Sequence, residues 1–335
     1  MATIVVLGAR GRLGVKIANT AASAGTTVMA VASAPSPAWR PEVMHHRFAR
    51  DAPASEPRRV FEQADVAIVV APLASCDIHT LALECSCHVV DVTIAPDQVL
   101  SVLGLNEQAQ NSALAVIAAA GLAPGLTGLL GKAVLEQAGA ESTVDVCLTQ
   151  SAEGTAGEQG TREMLEMLTR RDGSDTCHLL GHESSSPERV RAFVLPTPES
   201  ELATATAIRY YTRFDQKRLN RNIRFLAGIR ATIPALYRSL RNSTARRKAV
   251  AARPVAEPIV LSAVAINATD EPLAWRTLHL SSDYAATAAV AVGTALAATR
   301  GSISPGAGML AEVADLSSVL GYRQLQDVMI ENRGG

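Results

Sequence analysis

Three glycines stand three residues apart in Gly8-Ala9-Arg10-Gly11-Arg12-Leu13-Gly14. Glycines at such spacing let backbone N–H groups come close to a diphosphate, and the N-terminus of a following helix adds a dipole that favours the negative charge. The chemistry implied is the grip on a dinucleotide pyrophosphate. The usual fingerprint is Gly-x-Gly-x-x-Gly, so the spacing here is a variant. What gives the loop its weight is position, since it directly follows the apolar run Thr3–Leu7. A purely structural strand-to-helix turn is the alternative.

The residues beyond the loop bear on which dinucleotide. An NAD site places Asp or Glu at the end of the second strand, where it meets the ribose 2′-hydroxyl. Here that strand ends Val31-Ala32-Ser33-Ala34, without an acid, while Arg10 and Arg12 lie inside the loop and Arg40 beyond it. A 2′-phosphate is matched by guanidinium groups and the absence of a carboxylate, with Ser33 as a further donor. The pattern predicts NADP(H) in preference to NAD(H). The alternative is that both loop arginines simply face solvent.

Hydride transfer needs a positioned acceptor and a proton donor, while the nicotinamide does the difficult step. Asp91 at a strand end, Glu153 in the loop Ser151–Gly157 and Tyr210 are the candidate catalytic groups. For Asp91 a turn or capping role is an equal alternative, and Glu153 can also be read as a solvated loop acid. Arg162 is a candidate clamp for a substrate carboxylate. His178 and His182 stand four apart and would share a helix face, but no third ligand accompanies them, so no metal site is predicted. Five scattered cysteines, Cys85 and Cys87 among them, read as reduced thiols of a cytoplasmic protein.

The elements that would position these groups alternate. Thr3–Leu7, Thr27–Ala32, Ala64–Val70, His88–Val92 and Leu114–Ala118 are apolar, strand-length runs. Helical lengths separate them: Arg12–Ala24 with Leu13, Ile17 and Ala21 on one face, a stretch ending near Cys85, and another over Pro96–Asn111. A third strand is placed loosely at His46–Phe48. Buried strands alternating with helices predict an α/β fold, a doubly wound parallel sheet of the Rossmann kind.

Ala119-Ala120-Gly121-Leu122-Ala123-Pro124-Gly125-Leu126-Thr127-Gly128 follows the last of these strands. It resembles the Pro-Gly turn of the saccharopine dehydrogenase/saccharopine reductase-like family. The glycine loop, Ala71-Pro72, His88–Thr93, Asp283–Thr287 and Gly301–Gly306 also resemble that family's segments. Coverage is good over 1–135 and 257–315 and thin between. The resemblance implies a pyridine-nucleotide oxidoreductase with a Rossmann domain, an α+β domain and a return helix. By the same resemblance, Ala71, Pro72, Leu73, Gly121, Pro124 and Gly125 line the nicotinamide end. Ala123 replaces the family's acid, and the glycine loop is equally similar to that of dihydrodipicolinate reductases. Independently of any family, a Pro-Gly turn at the C-terminal edge of an open α/β sheet lies where ligands bind.

In the second half, Val144–Gln150, Arg191–Leu195, Ile208–Tyr211, Ile259–Asn267 and Trp275–Ser281 read as strands, the last two joined by a hairpin loop at 268–272. They predict an α+β domain with a mixed or antiparallel sheet. The expected organisation is a dinucleotide domain over 1–125, a substrate and dimerisation domain over 126–282, and C-terminal helices over 283–335. The chain's 335 residues carry 31 Lys+Arg and 32 Asp+Glu. That balance hides an asymmetry, because residues 217–248 hold ten Lys+Arg and no acid, leaving about −11 elsewhere. Within a basic insert over 215–248, Leu219, Ile223, Leu226 and Ile229, then Ile233, Leu236 and Leu240, recur at helical spacing on either side of Pro234. Three readings stand: a lid or dimer helix pair, an amphipathic helix on anionic lipid, or a solvated face over a core stripe.

The function these features predict is an NADPH-dependent reductase of a C=N, C=O or C=C bond in a small polar metabolite. The expected context is a cytoplasmic homodimer that meets neither nucleic acid nor membrane. The alternatives are a catalytically inactive NADP-binding regulator and a membrane-associated reductase of a lipid-like substrate.

Overall fold

The computed structural model describes residues 1–47, 55–71, 75–151, 174–180, 186–198, 207–251, 259–321 and 329–334, with 162, 164–166, 168 and 169 between them. In chain order the elements are β1 (Thr3–Leu7), α1 (Arg12–Ser23), β2 (Thr27–Val31), β3 (Val43–His46), α2 (Ser55–Phe61), β4 (Val66–Val69), α3 (Asp77–Glu84), β5 (His88–Asp91), α4 (Pro96–Leu103), α5 (Asn106–Asn111), β6 (Ala115–Ala118) and α6 (Leu126–Ala138). There follow β7 (Thr143–Gln150), β8 (Ser174–Leu179), β9 (Glu188–Val194), β10 (Ile208–Phe214), α7 (Lys217–Thr232), α8 (Pro234–Ala251), β11 (Ile259–Ile266) and β12 (Pro272–Leu280). The last are α9 (Asp283–Thr299), β13 (Gly306–Met309), α10 (Leu310–Val313), α11 (Leu316–Leu320) and β14 (Met329–Gly334). They form two compact units: Met1–Leu129 with Asp283–Met329, and Leu130–Ser282 with Ile330–Gly335.

In the first unit seven strands pair in the order β13-β6-β5-β4-β1-β2-β3, every pairing parallel. The four central strands β1, β4, β5 and β6 are short apolar runs buried almost throughout, as a sheet covered on both faces requires. The order reverses at β1, with β2 on one side and β4 on the other. In open α/β sheets such a reversal is where ligands bind, at the strands' C-terminal ends. Helix α1 buries Gly14, Ile17, Ala18 and Ala21, and Gly25 ends it with φ +77°. Helix α9 is apolar all round and built of small residues, with thirteen of its residues between Ala285 and Ala298 buried. It packs on α1, β4, β5 and α11. Two details differ from the sequence reading. Strand β3 falls at Val43–His46, ahead of His46–Phe48, and Pro96–Asn111 is two helices broken at Gly104, whose backbone N–H still bonds Leu100 O before α5 starts on a new axis.

One polar link in this sheet titrates. His88 Nδ1 accepts a hydrogen bond from the Ala115 backbone N–H at 3.0 Å, tying the start of β5 to β6. Burial holds the His88 imidazole below its ordinary value. An unfolded histidine titrates near ~6.5. The stability contributed by neutral His88 is therefore complete above that value and is lost as pH falls through the lower folded one. The thermal midpoint is expected to fall between pH 7 and 5 by the equivalent of about 1 kcal/mol, the scale of one hydrogen bond. In His88→Asn, which keeps an acceptor that does not titrate, the slope flattens. Equal slopes in melts of the two proteins would contradict this.

The second unit carries a mixed sheet in the order β14-β12-β11-β7-β10-β9-β8. Strand β7 runs parallel to β10 and antiparallel to β11, and the β11–β12, β10–β9 and β9–β8 pairs are antiparallel. The loop between β11 and β12 is fixed by Asn267 Oδ1, which accepts the backbone N–H groups of Thr269 and Glu271. The sheet curls. Although β8 lies three strands from β7, His178 N of β8 donates to Asp145 Oδ2 of β7 at 2.8 Å, and Leu180 N reaches Ser262 Oγ of β11 at 3.2 Å. Inside the curl, Cys147, Cys177, Leu179, Ala192 and Tyr211 form one buried cluster. His178 therefore sits on a strand, not on the helix expected for His178 and His182; His182 lies outside the described residues.

Candidate functional site

The glycine loop turns the chain from β1 into α1. Gly8 has φ +83°, a left-handed conformation that favours glycine. Gly8 N and Ala9 N both donate to Val31 O at 3.2 Å, so the loop is tied to the end of β2. A Cβ on Gly8 would come 3.0 Å from Ala71 Cβ, which shows how closely the ends of β1 and β4 approach. At Gly14 a Cβ would meet Gly8 O at 2.3 Å and Ala9 Cα at 2.7 Å, both backbone. Gly11 is the N-cap of α1 and supplies no side-chain cap. The first turn of α1, Arg12 to Gly14, thus faces the loop with no capping side chain over it, the arrangement that suits an anion.

Around this loop the polar groups sort themselves. Arg10 and Ser33 are exposed, at the loop and at the end of β2. The Arg12 guanidinium lies over the Tyr284 ring of α9, 5.1 Å from its centroid. Arg40 is placed differently from the sequence reading. Its guanidinium bonds Ser23 Oγ and Glu42, and its backbone N–H donates to Asn19 Oδ1, so it pins the β2–β3 connection to α1. The residue that reaches the loop from that connection is Trp39, whose indole N–H donates to Ala9 O at 3.0 Å. Its ring lies 5.6 Å from that of His45, and His45 Nε2 is 3.0 Å from Ala32 O.

The ends of β5 and β6 form the neighbouring group. Asp91 is 1% exposed. Its Oδ1 accepts Thr93 N at 2.7 Å and Thr93 Oγ1 at 2.6 Å, and its Oδ2 meets Gln98 Nε2 at 3.0 Å and His79 Nε2 at 2.7 Å. Such a carboxylate shapes the strand end, and the turn role, one of the two readings of Asp91, matches these contacts. Burial, then the Asp91 charge, hold the nearby Cys76 thiol above its usual value, so it is no ready thiolate.

Ala120 N donates to Asp91 O at 2.9 Å, joining the two strand ends. The turn after β6 contains a cis Ala123–Pro124 bond, and Gly121 bridges to Gly125. Gly125, at φ +118°, has Gly121 O and Ala119 O where a Cβ would be, at 2.4 and 2.6 Å. Thr287 Oγ1 of α9 accepts Leu122 N at 3.3 Å.

The structure therefore brings Gly8, Arg10, Gly11, Arg12, Leu13, Gly14, Ser33, Ala71, Asp91, Gly121, Pro124 and Gly125 into the first unit, on its loops and strand ends. Pro72, Leu73 and Glu153 lie outside the described residues. Tyr210 belongs to β10 of the second unit and is 7% exposed. Beside it, burial pushes the Tyr211 phenol up. Arg162 is helical and half-buried. Sequence reading missed Trp39 and His79, and it noted Tyr284 and Thr287 only as part of a family-like segment, without their contacts to Arg12 and Leu122.

No family model matches the chain, and no curated protein matches it. Among solved structures it is similar to C. glutamicum DAP dehydrogenase in complex with DAP, with TM-score 0.50 and 13% identity over 97% of each chain. It is also similar to an engineered D-amino acid dehydrogenase bound to NADP+, with TM-score 0.50 and 12% identity over 96% of this chain and 99% of that one. The likeness shows a shared fold, that of NAD(P)-dependent dehydrogenases. Among the described residues no helix is long and apolar enough to cross a membrane.

Proposed function

We propose that the chain is an NADPH-dependent oxidoreductase, of the kind its saccharopine dehydrogenase-like segments suggest, that reduces a C=N, C=O or C=C bond in a small polar metabolite. The observation that carries this reading is the Gly8–Gly14 turn. Its glycines let the loop backbone pack on the start of α1 and on the end of β4 more closely than a Cβ would permit, at the uncapped N-terminus of α1 and beside the point where the strand order reverses. When bound, the dinucleotide supplies the hydride. The chain's part is to hold and orient it. The N–H groups at the start of α1 would face the pyrophosphate, those of Gly8, Ala9 and Gly11 being bonded to Val31 O and Gly8 O. Arg12, steadied on Tyr284, adds charge there. Arg10 and Ser33 meet the 2′-phosphate, at a strand end without a carboxylate. The turns after β5 and β6 would line the nicotinamide end, with Asp91 as a positioning residue that fixes the Thr93 turn. The likeness to a DAP dehydrogenase and an engineered D-amino acid dehydrogenase supports an amino-acid-derived C=N substrate.

Calorimetric titration with NADPH and NADH tests the cofactor half. NADPH is expected to bind at least tenfold more tightly. Arg10→Ala, which removes one charge-assisted contact worth about 1.5–3 kcal/mol, is expected to erase most of that preference while leaving NADH affinity within a factor of about three. Equal affinity of the wild-type protein for both cofactors would overturn the NADPH assignment. Oxidation of NADPH with a panel of keto acids and amines tests the chemistry. Tight NADPH binding without turnover would favour the regulator reading, which the saturated, buried Asp91 makes concrete.

A further inference from the structure

The basic segment folds as a helical hairpin, α7 and α8, hinged at Ile233-Pro234. Its two faces differ completely. The inner face is fully used. Ile223 joins a buried cluster with Leu165, Leu168, Phe193 and Phe214, and Asn220 bonds both backbone groups of Phe214. Arg230 and Arg241 both pair with Glu166, at 2.8 and 2.5 Å, and flank the ring of Tyr237, whose hydroxyl meets Thr169 Oγ1 at 2.7 Å. Burial alone would raise the Glu166 carboxyl, but these two arginines outweigh it and hold it below its usual value. The clamp thus stays ionised through the neutral range.

The outer face has the opposite character. Along α7, Arg218, Arg221, Phe225, Gly228 and Thr232 recur at helical spacing as one exposed stripe. Phe225 is 69% exposed, and at the hinge Ile233 and Leu236 are 52% and 43% exposed. Of the apolar repeat, Ile223 is buried, Leu219, Leu226, Ile229 and Leu240 are half-buried, and Ile233 and Leu236 are exposed. Phe225, Ile233 and Leu236 are thus exposed on a hairpin whose Lys217, Arg218, Arg221 and Arg238 are exposed too.

We infer that this outer face docks the protein on an anionic lipid surface, with Phe225, Ile233 and Leu236 entering the headgroup boundary and Arg218, Arg221 and Arg238 pairing with lipid phosphates. Large apolar side chains set among arginines are the composition that binds such an interface. Charge selects this occupant. A symmetric contact with a second copy would set basic face against basic face. The remaining chain carries about −11 and is repelled by the same lipid, so the hairpin is presented first. This reverses the expectation of no membrane contact, on the strength of the outward apolar side chains. It stands independently of the cofactor reading.

Co-sedimentation of the full chain with vesicles tests it, using phosphatidylcholine alone and phosphatidylcholine with about one-third phosphatidylserine. Binding to the mixed vesicles is expected, weakened at least tenfold on plain phosphatidylcholine and again in high salt. Phe225→Ser/Ile233→Ser/Leu236→Ser and Arg218→Gln/Arg221→Gln/Arg238→Gln should each lose at least tenfold, with thermal midpoints unchanged because all six side chains are exposed. The proposal fails if the wild-type protein stays in the supernatant with mixed vesicles, or if the serine triple pellets as the wild type does. It also fails if light scattering shows a dimer that the serine triple dissolves, or if a single-stranded oligonucleotide binds more tightly than the mixed vesicles.

Discussion

Gly14→Ala is expected to weaken NADPH binding at least 100-fold, about 3 kcal/mol, and to lower the unfolding midpoint as well. The added methyl would stand 2.3 Å from Gly8 O, 2.7 Å from Ala9 Cα and 2.9 Å from Ala9 C. All three are backbone atoms, so no side chain can rotate out of the way. The loop itself must move by roughly an ångström, and a cradle of N–H donors displaced that far no longer fits its anion. Forcing extra volume into packed structure costs typically about 1–3 kcal/mol in stability. Gly11→Ala is the internal control. Its new methyl would find only Gly8 O, at 3.6 Å, an ordinary contact. It should bind NADPH within about threefold of wild type if only contact distance matters. Calorimetric titration and a urea melt of both variants decide the matter. A Gly14→Ala protein that binds as the wild type does would show that the loop is not the pyrophosphate site.

The second large effect concerns the curled sheet. Asp145 is fully buried. Arg209 Nε and Nη2 approach its Oδ1 at 2.8 and 2.6 Å, while His178 N and Nδ1 approach its Oδ2 at 2.8 and 3.3 Å. Arg209→Met removes the permanent cation and leaves a buried carboxylate with the histidine alone. Breaking a buried pair from one side costs about 3–5 kcal/mol. The guanidinium is 42% exposed, so water shares its role and the lower end, about 3 kcal/mol, is expected. Asp145→Leu together with Arg209→Met should recover most of that loss, because no charge then remains buried. Chemical denaturation of the single and double variants tests both statements. Equal losses would mean that the cost lies in packing, not in the stranded charge.

How much of this was legible in the sequence follows from where each signal resides. The strand Thr3–Leu7 and the glycines after it are local: apolar β-branched residues and a turn chemistry, both readable within fifteen residues. The parallel order followed because helical lengths separate the strands. Strand β8 was hidden because Cys177, His178 and Leu179 are buried in succession, with His178 held by Asp145, so the strand lacks the apolar–polar alternation of a half-exposed one. At the site, the strand ends were legible but their occupancy was not. Asp91 is saturated by Thr93, Gln98 and His79, and Trp39 reaches Ala9 from thirty residues away. Such contacts depend on which loops the sheet brings together. The basic hairpin shows the same limit, for helical periodicity identified an apolar stripe without showing that Ile233 and Leu236 in it are exposed.

The first unit is discontinuous, and that has a consequence for how the protein is made. Helix α9, which covers β4 and β5, and strand β13, which closes the edge of β6, belong to residues 283–329 and emerge only after residues 130–282. At roughly 5–20 residues per second, a ribosome needs on the order of 8–30 s to cross that interval. During it the nascent sheet keeps an unpaired β6 edge and an uncovered apolar face, while the intervening residues are synthesised. A chaperone shielding this half-finished sheet would therefore matter most in mid-synthesis, and a chain released before residue 309 would be an aggregation hazard even with its whole glycine loop in place.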